Sequence, residues 1–140
     1  MAFELDPRLQ ATSHLYKRVA GFDVRLVDDS RWPWVLIVPA VPAVRELTDL
    51  TEPQTRLLMK LARNVCRVLK HLHPDSSTNV ATIGNVVEQF HLHVVARHEG
   101  DPNWPAPVWG YGTAEPYDDP APVLAAFDAA HEAIPELDRL

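Results

Sequence analysis

Gln89-Phe90-His91-Leu92-His93-Val94-Val95 is the most informative segment of the chain. Polar and apolar residues alternate through it, the two-residue period of a half-buried strand. On such a strand Gln89, His91 and His93 line one side, while Phe90, Leu92 and Val94 line the other and meet the core. Side chains on one side follow each other at about 7 Å, so one amide and two imidazoles stand in a row. A histidine near its ordinary pKa of about 6.5 is mostly neutral at pH 7, and one ring nitrogen is then free to act as nucleophile or ligand.

The predicted strand extends from Val86 to Ala96, after a strand at Asn79 to Ile83 and a turn at Gly84-Asn85. Before these lies the strongest helix signal. Thr51 and Gln54 have capping-box spacing, and Leu57, Leu58, Leu61, Val65, Val68, Leu69 and Leu72 fall on one face until Pro74. Phe22 to Val27 and Trp34 to Val38 read as an antiparallel hairpin around Asp28-Asp29-Ser30. Asp6-Pro7 opens a helix predicted to run towards Val19. Residues 98–140 read as a Pro/Trp-rich C-terminal loop followed by a terminal helix over Pro122 to Ile134. The order predicts a single α+β domain over residues 1–140. It has a mainly antiparallel sheet of about five strands, a long core helix and shorter terminal helices.

Composition narrows the function classes. The 140 residues carry 13 Lys+Arg and 19 Asp+Glu, and a net charge of -6 disfavours a duplex nucleic acid held by its phosphates. A single nucleotide remains compatible, since a small anion needs only a few local donors. The one cysteine, Cys66, cannot form an internal disulfide and reads as helix packing. The start, MAFELDPRLQ, lacks a basic region followed by an apolar run, and Val35 to Val44 is too short and too proline-broken to span a bilayer. The expectation is a cytoplasmic protein with no membrane segment.

The heptapeptide resembles the signature of the histidine triad (HIT) nucleotide hydrolases and transferases, a strand reading His-φ-His-φ-His-φ-φ with φ apolar. Two histidines and the apolar positions match, and Gln89 replaces the first histidine. Val-Leu-Ile-Val-Pro at 35–39 and Asp-Leu-Thr-Glu-Pro-Gln at 49–54 are similar to the family as well. The segment Glu-Gly-Asp-Pro-Asn-Trp-Pro-Ala-Pro-Val-Trp-Gly at 99–110 resembles a bacterial branch that carries glutamine at that first position.

The resemblance implies a HIT-like fold and hydrolysis of a phosphoanhydride or phosphoramidate bond at the α-phosphate of a nucleotide, an adenine one by expectation. Dinucleoside polyphosphates and nucleoside phosphoramidates are the substrate classes it implies. His91 would attack phosphorus and form a covalent nucleotidyl-histidine, His93 would hydrogen-bond the phosphate oxygens, and Gln89 would orient phosphate without titrating. It also implies ribose binding by Asp28 or Asp29, phosphate contacts from Gly84 and Asn85 and more weakly from Asn79, and closure by Trp109. Trp34 stands where the family carries a further histidine, and a linked change of Trp34 and Gln89 would make them facing parts of one repacked wall. The resemblance further implies a homodimer. No cofactor is required, and a divalent cation would enter only with a polyphosphate substrate.

Two other readings use the same residues. Loss of the first histidine is compatible with a non-catalytic nucleotide-binding module. The spacing of His91 and His93 is also a metal-ligand pattern, as in a metal-dependent hydrolase with a third ligand from elsewhere. A second His-x-His, His71 and His73, sits at a helix end, where histidines meet exposed carbonyls.

Overall fold

A computed structural model describes residues 1–140. Five antiparallel strands form one sheet in the order β1-β2-β3-β5-β4: β1 Ser13–Val19, β2 Phe22–Val27, β3 Trp34–Pro39, β4 Ser77–Thr82 and β5 Leu92–Arg97. Three α-helices accompany them, α1 Pro7–Ala11, α2 Glu52–Leu72 and α3 Ala121–Ala133. The chain passes from β3 through α2 to the far edge at β4, and β5 then returns between β3 and β4. The histidine strand is therefore interior, paired on both sides, which fixes its side chains more firmly than an edge would.

The helix α2 forms as its sequence dictates. Thr51 Oγ1 accepts from the Gln54 amide while Gln54 Oε1 accepts from the Thr51 amide, closing the capping box. Its stripe of Leu58, Leu61, Val65, Val68 and Leu69 packs on Val24, Val35, Ile37, Leu92 and Val94 of the sheet. Each such fully buried side chain contributes about 1.5–3 kcal/mol relative to exposure. Phe127 and Ala130 of α3 complete this face. Buried Asn64 on α2 ties down the C-terminal tail, donating to the Asp138 carbonyl and accepting from its amide. Cys66 is half-buried against the same core, and burial pushes its thiol pKa up.

Two predicted elements differ. The helix expected from Asp6 to Val19 ends at Ala11, and Ser13–Val19 is a strand. Ala20 and Gly21 both have positive φ (50° and 84°), the backbone of a tight two-residue hairpin turn, so β1 folds back on β2. Leu15 and Val19, four apart, imitate a helical period while lying on this paired edge strand. The strand expected from Val86 begins only at Leu92. Residues 84–91 leave the sheet: the Phe90 amide donates to the Val44 carbonyl, and the Phe90 ring is buried in the main core.

The second face of the sheet is covered from two sides. Near the N-terminus, Phe3, Leu5 and Leu9 pack over Leu36 and Val38. From the other side, the loop after β5 brings Val108 and Trp109 onto Trp32, Trp34 and Val95. Buried Arg97 anchors that loop through Asp101 (2.7 and 3.0 Å) and the Ala106 carbonyl (2.7 Å). A cleft remains between the two covers. No helix is long and apolar enough to cross a membrane.

Candidate active site

The cleft has a volume of about 430 Å³, within the range of about 300–1,000 Å³ usual for small-molecule sites. His91 and His93 form its floor, and Val87, Trp109 and the hydrogen-bonded neighbours Thr12 and Asp28 line it as well. Both histidines are buried, 5 % and 7 % exposed, so only ring edges reach the cleft. As expected for residues two apart, the rings face the same side. They lie edge to face with centroids 5.0 Å apart.

His91 Nδ1 lies 2.7 Å from the main-chain oxygen of Gln89. A carbonyl only accepts, so Nδ1 carries the proton and donates, and the lone pair of the neutral ring is on Nε2. His93 is held differently. Its Nδ1 accepts from the indole N–H of Trp34 at 3.0 Å, and its ring packs against Trp109 at 5.3 Å. Burial, with His91 alongside, lowers the His93 pKa from 6.5 to about 3.

Gln89 is not beside the two histidines. Its side chain turns to the N-terminal segment, where Oε1 accepts from the Asp6 amide (2.8 Å) and Nε2 donates to the Glu4 carbonyl (2.9 Å). It lies against Phe3, Glu4 and Pro42 and contributes nothing to the cleft lining. The chain has left the sheet at this point, so the alternation that aligns His91 with His93 does not reach Gln89. The expected pairing of Trp34 with Gln89 fails for the same reason, because Trp34 meets His93, Trp109 and Trp32 instead.

The two aspartates separate clearly. Asp29 is 2 % exposed and clasped by Arg31 (2.8 and 3.0 Å), with the Glu115 amide also on it. Burial alone would raise its pKa, but these donors outweigh it and hold the carboxyl below its usual range. Asp28 lines the cleft and accepts from the Tyr117 amide on Oδ1 only, which leaves Oδ2 for a ligand. Asn79 lies on β4 and accepts from Arg97, and neither it nor Gly84 or Asn85 lines the cleft. A Cβ at Gly84 would come within 3.3 Å of the Val87 carbonyl, so that glycine serves a tight backbone approach.

Sequence reasoning missed three participants. Trp34 was placed in the wall but not on His93. Arg31 stacks on Trp32 (4.7 Å) and donates to the Tyr111 carbonyl, and so ties the C-terminal loop to the rim. His14, which no pattern in the sequence singles out, is half-buried with Nε2 3.1 Å from Asp28 Oδ1. For Arg31 the only signal was its position two residues after Asp29. No third histidine, cysteine or carboxylate converges with His91 and His93 in a grouping that would hold a metal ion.

This fold and this histidine pair define a class, and comparison with known proteins names it. The model of the HIT domain matches residues 10–100. A histidine triad (HIT) protein from Sinorhizobium meliloti 1021 has the same fold at TM-score 0.88, with 36 % identity over 91 % of this chain and 96 % of that one. A histidine triad protein from Marinobacter aquaeolei VT8 also reaches 0.88, with 38 % identity over 99 % of this chain and all of that one (100 %). The chain belongs to the HIT family. Among curated proteins, an AP-4-A phosphorylase of Mycobacterium tuberculosis is 33 % identical over 78 residues, 51 % of this chain. The matched stretch spans 40 % of that relative's length.

Proposed function

We propose that this protein is a nucleotide hydrolase that works at the α-phosphate through a covalent nucleotidyl-histidine on His91. One observation carries this reading: the Gln89 carbonyl fixes the His91 proton on Nδ1, which leaves Nε2 with its lone pair at the floor of an open cleft. In the first step Nε2 bonds to phosphorus while the bond to the leaving group breaks, and the leaving group departs with the electron pair. In the second step water attacks phosphorus and gives up a proton to solvent, the P–N bond breaks with its electron pair returning to Nε2, and a nucleoside monophosphate is released. Covalent catalysis of this kind divides one difficult displacement into two easier ones. His93 hydrogen-bonds the phosphate oxygens as charge shifts between them.

Asp28 receives the ribose hydroxyls through its free oxygen, a role Asp29 cannot share while Arg31 occupies it. Trp109 supplies an apolar wall beside His93. The family and its AP-4-A phosphorylase relative support a nucleotide as substrate, and we take an adenine nucleotide, as a dinucleoside polyphosphate or a phosphoramidate, as the expected class. A divalent cation would arrive with a polyphosphate substrate. The same reading includes a cytoplasmic location and a homodimer. For the dimer, β4 offers an open sheet edge with Val80 exposed.

A panel of dinucleoside polyphosphates and nucleoside phosphoramidates, assayed for released monophosphate, tests the proposal. Release from at least one class is expected, and lack of turnover across the panel with intact binding would leave a nucleotide-binding module.

A further inference from the structure

We propose that Trp34 is a positioning residue: by donating its indole N–H to His93 Nδ1, it confines His93 to the neutral ring whose proton is on Nε2. His93 is then a fixed hydrogen-bond donor to an anion and not a proton-transfer group. The inference rests on His91 and His93 being the residues that handle phosphate, and it adds a residue and a constraint to that reading.

The argument starts from what each group can do. An indole has one N–H and no acceptor, so at 3.0 Å the Trp34–His93 contact has only one sense, with His93 Nδ1 accepting. A neutral imidazole has a single N–H, and that proton must then be on Nε2. Protonating the ring would set two N–H groups against each other across the same 3.0 Å, in a place where neither can turn to water. Trp34 cannot swing aside to relieve the clash. It is held in β3 opposite Val95, with its ring edge to face against Trp32 and Trp109, each at 6.3 Å.

The surroundings point the same way. The titratable neighbour in contact with the ring is His91, and two adjacent imidazoles disfavour protonation of His93. Of the charged groups around the cleft, Asp29 and Arg31 neutralise each other, and Asp28 is engaged with the Tyr117 amide and His14. None of them is hydrogen-bonded to His93 to stabilise an imidazolium. Paired on Nδ1, His93 keeps its one N–H on the other nitrogen of a ring that lines the cleft beside His91. The two rings thus hold opposite tautomers, one to attack and one to donate.

Nitrogen NMR of the full-length, histidine-labelled protein tests this without substrate. The expected spectrum shows His93 with its proton on Nε2, unchanged between about pH 5 and 8. A proton on Nδ1, or titration inside that window, overturns the proposal. Trp34→Phe keeps an aromatic ring and deletes the donor. In this variant His93 should show mixed tautomers, and kcat should fall on the order of 10- to 100-fold with KM little changed and a new pH dependence. A folded Trp34→Phe with the kcat and pH profile of the original chain also overturns it. If that variant does not fold, the spectrum of the unaltered protein decides alone. Absence of nucleotide turnover with the Nε2 proton in place would count against the proposed reaction, not against the Trp34–His93 arrangement.

Discussion

His91 and Gln89 are joined by a 2.7 Å hydrogen bond from the His91 ring to the Gln89 main chain, while the Gln89 side chain faces the other way to residues 4 and 6. One residue therefore does two separable things. Its carbonyl sets the His91 tautomer, and its amide clasps the N-terminal segment that covers the sheet beside the cleft.

Gln89→Ala separates these roles. The carbonyl remains, so the His91 ring keeps its tether, but both clasp hydrogen bonds are lost. Loss of about 1–3 kcal/mol is expected in urea unfolding. Hydrogen exchange at the Asp6 amide should rise more than exchange in β5. Unchanged protection at Asp6 would contradict the clasp.

His93→Ala removes a single donor to the phosphate oxygens. Nucleotide turnover should fall by about 10²–10³, as when one oxyanion donor is deleted. A loss below tenfold would show that His93 does not meet charge in the transition state.

His93 also makes stability depend on pH. Its pKa is about 6.5 in the unfolded chain and about 3 in the native one, so between these values only the unfolded state takes up the proton. This contribution is complete above about pH 6.5 and erodes as pH falls towards 3, by up to about 1.4 kcal/mol per pH unit. His73, lowered by burial and its neighbour His98, acts in the same direction and is common to both proteins compared. His93→Asn keeps an acceptor for the Trp34 indole and removes the titration. Its melting temperature should fall less steeply than that of the unaltered chain from pH 6.5 to 4, and parallel curves would refute the assignment.

Arg97 and Asp101 form a buried ion pair with side chains 1 % and 0 % exposed. Burial alone would raise the Asp101 pKa, but the Arg97 guanidinium more than offsets it and holds the carboxyl well below the usual range. Asp101→Asn leaves the guanidinium charge buried without its partner. A cost of about 3–5 kcal/mol is expected by urea unfolding, with faster exchange in residues 101–111. A loss under 1 kcal/mol would mean that the pair does not anchor the C-terminal loop.

Elements whose stabilising contacts are local or strictly periodic were legible in the sequence: α2 with its Thr51–Gln54 box, strands β2 and β3, and β5 with His93, His91 standing just before it. What was not legible depends on distant partners. β1 is a strand because of its pairing with β2 through a turn in which Ala20, not only Gly21, takes positive φ. Gln89 leaves the alternation because its partners are Glu4 and Asp6, more than 80 positions earlier, at separations of 85 and 83. The choice between Asp28 and Asp29 turns on Arg31 and on the returning loop at Glu115 and Tyr117, which no local pattern announces.

The most direct measurement mixes the protein with an α-phosphate-labelled nucleotide substrate, quenches it in denaturant and locates the label by peptide mapping. The proposed chemistry predicts a phosphorus–nitrogen adduct on His91, acid-labile and alkali-stable, that is absent from His91→Ala together with all turnover. Label on another residue, or turnover surviving in His91→Ala, would contradict it.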